Sequence, residues 1–138
     1  MKELVLHILE HIHLSVNSLA ATEAFLAAAV PELKRRGGGD SEIYGPWVHI
    51  GTDNCYIALT EVKGSQSPPE LRHIGIVVED IDALMTRLSA AGFEPADASA
   101  IKGHPYRRRV YYIDGNGLDW EFVQYLTEDP ALRNDYSQ

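Results

Sequence analysis

Alternation along the chain gathers a chemically capable set of side chains onto one side of several strand-like segments. In HIHLSV (11–16) the even positions Ile12, Leu14 and Val16 are apolar, whereas His11, His13 and Ser15 are polar. That period of two marks a half-buried strand. The same sorting sets Val48 and Ile50 opposite Trp47 and His49, and sets Cys55, Ile57 and Leu59 opposite Tyr56, Ala58 and Thr60. Further on, Val110 and Tyr112 lie opposite Arg107, Arg109, Tyr111 and Ile113, and Trp120 and Phe122 lie opposite Asp119, Glu121, Val123 and Tyr125. With helices covering the greasy face, the other faces carry His11, His13, His49, His73, Trp47, Tyr56, Arg109, Tyr111 and Glu121. Imidazoles ligate metals or move protons near neutral pH. A guanidinium steadies an anionic group, and aromatic rings stack on a ligand or line a pocket. Such a set exceeds what a plain solvated surface needs.

The elements that position these residues come in duplicate. HIHLSVNSLAATEAFLAAAVP (11–31) aligns without gaps to HIGIVVEDIDALMTRLSAAGF (73–93), and seven of the 21 pairs are identical, His11/His73 and Ile12/Ile74 among them. Each half opens with a strand and continues with a helix, capped by Asn17 or Ser18 over 19 to about 30 and by Asp80 over 81–91. In the second helix Ile81, Leu84, Leu88 and Ala91 form one stripe. Strands are then expected over 41–50 and 54–62, and over 106–113 and 118–126, the latter pair joined by the hairpin signal DGNG. One more short strand per half is expected near 34–44 and 92–102. The order strand, helix, strands, twice over, is an α+β pattern. It reads as a single domain of two modules, 9–62 and 71–126, with a linker at 63–70 and a polar tail at 127–138, loose or reaching a partner subunit.

These paired starts, H-I-H-L-S-V and H-I-G-I-V-V, together with the strand endings Y-I-A-L-T and W-E-F-V-Q, resemble the vicinal oxygen chelate superfamily. That superfamily embraces glyoxalase I, extradiol dioxygenases, and fosfomycin- and bleomycin-resistance proteins. The resemblance covers residues 9–126. It implies two βαβββ modules forming a curled mixed sheet, a half-barrel with helices on its outer face, and a homodimer. It also implies a divalent ion held by His11, His73 and Glu121, with Fe, Mn, Zn, Ni and Co not distinguished. The first-module carboxylate position falls on Ala58, which departs from the four-ligand glyoxalase I pattern and disfavours that activity. Two imidazoles and one carboxylate leave open positions on an ion, as Lewis-acid or oxygen-activating chemistry requires. The implied function is a metal-dependent enzyme acting on a small oxygen-rich substrate. His13, Arg109 and Tyr111 are its catalytic candidates, and Trp47, His49 and Tyr56 line its substrate pocket. His13 also reads as a fourth ligand, a base, a substrate contact or simply a cavity-lining residue. The rival is a metal-free protein of the bleomycin-resistance type, binding a cationic small molecule in an aromatic-lined groove.

Composition sets the outer bounds. A chain of 138 residues, against about 100–200 per domain, suits one domain. A net charge of −8 argues against nucleic acid or anionic membrane as partner. Alternation also splits Arg107, Arg108 and Arg109 between two faces. Apolar stretches are too short to span a bilayer, and MKELVLHILE lacks the features of a signal peptide. The single cysteine, Cys55, cannot form an intrachain bridge, which suits a reducing, cytoplasmic setting. Its parity with Ile57 and Leu59 makes it a buried, inert thiol. RGGGD (36–40) lacks the Lys-Ser/Thr of a phosphate loop and reads as a flexible turn. The segment KGHPY (102–106) reads as a rim or lid, and His7 as structural.

Overall fold

A computed structural model describes residues 9–62, 68–96 and 103–138. The elements run β1 (Leu9–Val16), α1 (Leu19–Ala29), β2 (Lys34–Ser41), β3 (Gly45–Gly51), β4 (Tyr56–Glu61), β5 (Glu70–Val77), α2 (Ile81–Ala90), β6 (Arg107–Ile113), β7 (Asp119–Tyr125) and α3 (Pro130–Arg133). The chain divides into two compact units, one of His11–Arg72 and one of Met1–Glu10 with His73–Gln138. Both divisions fall at equivalent points of the sequence repeat, immediately before His11 and immediately before His73. His7 and the connector residues 63–67 lie outside the described residues.

In the His11–Arg72 unit the strand order is β2-β3-β4-β1. β1 and β4 pair in parallel, His11 against Tyr56 and His13 against Ala58, while β2, β3 and β4 pair antiparallel. Helix α1 supplies the crossover that a parallel pair requires. Ser18 caps it by accepting from Ala21 N (3.2 Å), and Glu61 at the end of β4 accepts from Leu19 N (2.9 Å). Val16, Leu19, Val48, Ile50 and Leu59 form the core, with Leu14, Leu26, Leu33 and Ile57 packed against it.

RGGGD is part of β2, paired with β3 across a bulge between Arg35 and Gly37, and not a flexible turn. Its glycines make room: a Cβ on Gly39 would press the Trp47 indole at 3.3 Å, and one on Gly38 would meet Arg35 Nη2 at 2.6 Å. Cys55 is exposed, not buried. β4 starts one residue later, and Cys55 closes a turn in which Thr52 N donates to its carbonyl (2.8 Å), so strand parity does not extend to it.

In the other unit the order is β5-β7-β6, with β5 and β7 parallel and β6 and β7 antiparallel. Asp80 caps α2 by accepting from Ala83 N (3.1 Å), and Gln124 accepts from Ile81 N (3.0 Å), the role Glu61 plays for α1. Val78, Ile81, Leu84, Val110 and Tyr112 form the core, joined by Ile76, Met85, Leu88 and Phe122. The DGNG hairpin closes on Asp114, whose carboxylate accepts from Asn116 N, Leu118 N and Trp120 Nε1. Those bonds, Trp120's foremost, hold its carboxyl below the ordinary value. Gly117 supplies the positive φ of +86° that the turn needs.

The α+β class holds, as a mixed sheet with helices in each unit. The strand expected near 92–102 falls partly outside the described residues, though Ala96 N already donates to Tyr111 O (2.8 Å). The C-terminal residues form α3, and His104 Nε2 lies 2.9 Å from the Asp135 carbonyl, bringing the HPY turn and the chain end together.

Candidate metal centre

The register of the second unit assembles one group of site residues. Gly75 pairs with Glu121 across β5 and β7, and Tyr111 pairs with Glu121 across β6 and β7. Side chains alternate along a strand, so His73 and Gly75 share one face of β5, and Arg109 and Tyr111 share one face of β6. His73 and Glu121 offer ligand atoms within 4.8 Å of one another. The Tyr111 hydroxyl donates a short hydrogen bond to Glu121 Oε1, and Arg109 Nη1 stands 3.8 Å from that same oxygen. The His73 ring meets the Tyr111 ring edge-on at 5.6 Å and 88°.

The electrostatics follow from burial. Glu121 is only 3% exposed, and taking a carboxylate out of water costs several kcal/mol unless partners compensate. Tyr111 answers with a donor. Burial first, and then the charge of Glu121, pushes its phenol well above the ordinary 10.0, so it keeps its proton. Arg109 is half exposed, and water screens much of its attraction. Tyr111 therefore orients the carboxylate as a neutral donor, and Arg109 adds a screened positive charge beside it.

The His11–Arg72 unit carries the other group as a row of rings across neighbouring strands. His11 stacks on Tyr56 (4.6 Å, 13°), Tyr56 stacks on His49 (4.5 Å, 26°), and His49 meets Trp47 edge-on (5.0 Å). The Arg36 guanidinium lies 4.3 Å over the Tyr56 ring and donates from Nη1 to Thr52 O. His13 Nε2 lies 3.2 Å from Thr60 Oγ1, so this ring is held by its own module. His11, Trp47, His49 and Tyr56 thus stand together on neighbouring strands. Ala58 faces His13 in β1 as Glu121 faces Gly75 in β5. Since His13 and Gly75 are equivalent in the repeat, Ala58 occupies the counterpart position of Glu121.

Glu10 was not among the sequence candidates. It is fully buried, with Arg107 Nη2 donating to its Oε1 (3.2 Å) and Oε2 (3.0 Å) and the Tyr125 hydroxyl donating to Oε2. A signal exists in the sequence, because Glu10 shares parity with the apolar Ile12 and Leu14. A charge on the greasy face of a strand needs a buried partner.

The profile of the glyoxalase/bleomycin resistance protein/dioxygenase superfamily matches residues 10–112. The chain belongs to that superfamily. Solved structures share its fold. A hypothetical protein from Bacillus halodurans C-125 is 19% identical over 89% of this chain and 97% of its own, with a TM-score of 0.66. Methylmalonyl-CoA epimerase from Mycobacterium tuberculosis is 16% identical over 87% and 89%, at 0.67. A variant of the Streptomyces coelicolor methylmalonyl-CoA epimerase, in complex with 2-nitronate-propionyl-CoA, is 19% identical over 88% and 99%, at 0.65. No curated protein sequence matches. Among the described residues of this member no helix is long and apolar enough to cross a membrane.

Proposed function

We propose that this chain is a divalent-cation-dependent enzyme of the superfamily, acting on a small oxygen-rich substrate, with the ion held by His11, His73 and Glu121. The observation that carries the reading is the buried Glu121 carboxylate, presented to His73 at a separation suited to shared ligation and oriented by Tyr111. His11 is the repeat counterpart of His73.

Two imidazoles and a carboxylate suit Zn, Fe, Mn, Co or Ni. When bound, such an ion acts as a Lewis acid on a substrate oxygen. The remaining work belongs to the chain. Arg109 offers a half-exposed guanidinium to an anionic substrate group. Tyr111 holds the Glu121 rotamer from the second layer. Trp47, His49 and Tyr56 form the wall against which the substrate settles, and His13, steadied by Thr60, serves as the general base that takes a proton from the substrate and returns it to the product. Ala58 has no carboxylate to share that task. Methylmalonyl-CoA, the substrate named for the epimerases of like fold, is the first compound to assay.

Metal analysis of protein purified without chelators tests this reading. Near-stoichiometric divalent metal is expected in the wild type, and its loss in His73→Ala and Glu121→Gln. A wild type that takes up no stoichiometric ion even after loading overturns the proposal and favours a metal-free binding protein using the aromatic row. Tyr111→Phe is expected to keep the ligand set but to weaken the ion by about 10–100-fold, measured by competition with a fluorescent chelator. Unchanged affinity would remove Tyr111 from the site.

A further inference from the structure

The buried cluster around Glu10 sits one residue before a proposed ligand. Its side chain is fully buried, Arg107 is 18% exposed, and Arg107 and Tyr125 are register partners across β6 and β7, so both reach the same carboxylate. Arg107 also lies over the Tyr125 ring at 5.4 Å, and Arg133 of α3 covers that ring at 4.4 Å. A buried ion pair gains little stability over an apolar substitute, and its best-attested use is to fix register. His11 follows Glu10 directly, and its ring stacks on Tyr56.

We propose that Glu10, clamped by Arg107 and Tyr125, is a positioning residue that fixes the backbone and ring of His11. The purpose of that placement, ligating a cation, rests on the proposed function. The clamp tethers β1 at the last residue before the imidazole. Two donors on one carboxylate resist both sliding and rotation of the strand, which a single apolar contact would not.

The test uses the full chain and two readouts. The first is the Co2+ dissociation constant. The second, independent of metal, is the His11 Cε1–Hε1 resonance of the apo protein, assigned by its disappearance in His11→Ala and sensitive to the ring current of Tyr56. Glu10→Gln and the milder Tyr125→Phe, which keeps the Arg107 pair, are expected to shift that resonance and to weaken Co2+ by about tenfold or more. Asp82→Asn, which breaks only the exposed Arg108 pair, should change neither. Folded Glu10→Gln and Tyr125→Phe proteins with the wild-type resonance and wild-type affinity overturn the inference. If the wild type binds no Co2+ the cation reading falls, and the resonance alone then decides whether Glu10 positions His11. Should Glu10→Gln not fold, Tyr125→Phe carries both measurements.

Discussion

Glu121→Gln is expected to weaken divalent-cation binding by more than about 100-fold, beyond the roughly 10–100-fold that loss of a supporting partner costs. The substitution keeps the shape of a side chain 3% exposed but removes the only formal negative charge in the proposed ligand set. It also leaves Tyr111 donating to a neutral amide, so the effect falls on the ion more than on the hydrogen bond. Glu61→Gln is the matched control. That residue ends β4 and accepts from the first amide of α1, a job a glutamine oxygen can do, as Gln124 does for α2. Metal affinity in Glu61→Gln should stay within about twofold of wild type, since nothing in the ligand set of a metal site changes. Isothermal titration of both variants decides the matter, and equal losses would put the carboxylate ligand elsewhere.

The second large effect is with pH. Metal binding requires neutral imidazoles, so protons compete with the ion. An imidazole ordinarily titrates near 6.5, and two of them acting together cost about 10³ in affinity between pH 7.5 and 5. The sign is fixed: affinity is full above the imidazole range and falls as the medium is acidified. The limiting slope approaches two decades per pH unit, which distinguishes two histidine ligands from one. Cobalt or manganese titrations at half-unit steps would show it. A flat profile from pH 8 to 5 would exclude histidine ligation, and a slope of one decade would remove either His11 or His73.

Much of this architecture is written plainly in the chain. Ser18 and Asp80 announce helix starts because a short oxygen-bearing side chain can reach the orphan amides of the first turn. The β3 and β6 faces sort correctly because Val48, Ile50, Val110 and Tyr112 alternate with polar or aromatic neighbours and end up buried. The glycines of β2 carry no side chains to alternate, so the strand expected near 34–44 has no readable limits and RGGGD within it passes for a turn; the bulk of Trp47 on the partner strand accounts for them. Cys55 is misjudged because a turn begins where the parity count assumes extended chain. On β7, Glu121 and Val123 are more buried than Trp120 and Phe122, which reverses the simple rule of one greasy and one wet face. The parity of Glu10 with Ile12 and Leu14 marks a charge on the greasy face, but its partners, Arg107 and Tyr125, stand 97 and 115 positions away. Only the folded register reveals them.

The solitary thiol has a practical corollary. Cys55 is free and exposed in the bend that leads into Tyr56 and the row of rings. A maleimide fluorophore would attach at this one address without engineering, leaving every proposed ligand untouched. Its emission would then report whether a small molecule arrives at the proposed aromatic wall beside it, a signal usable for screening compound collections.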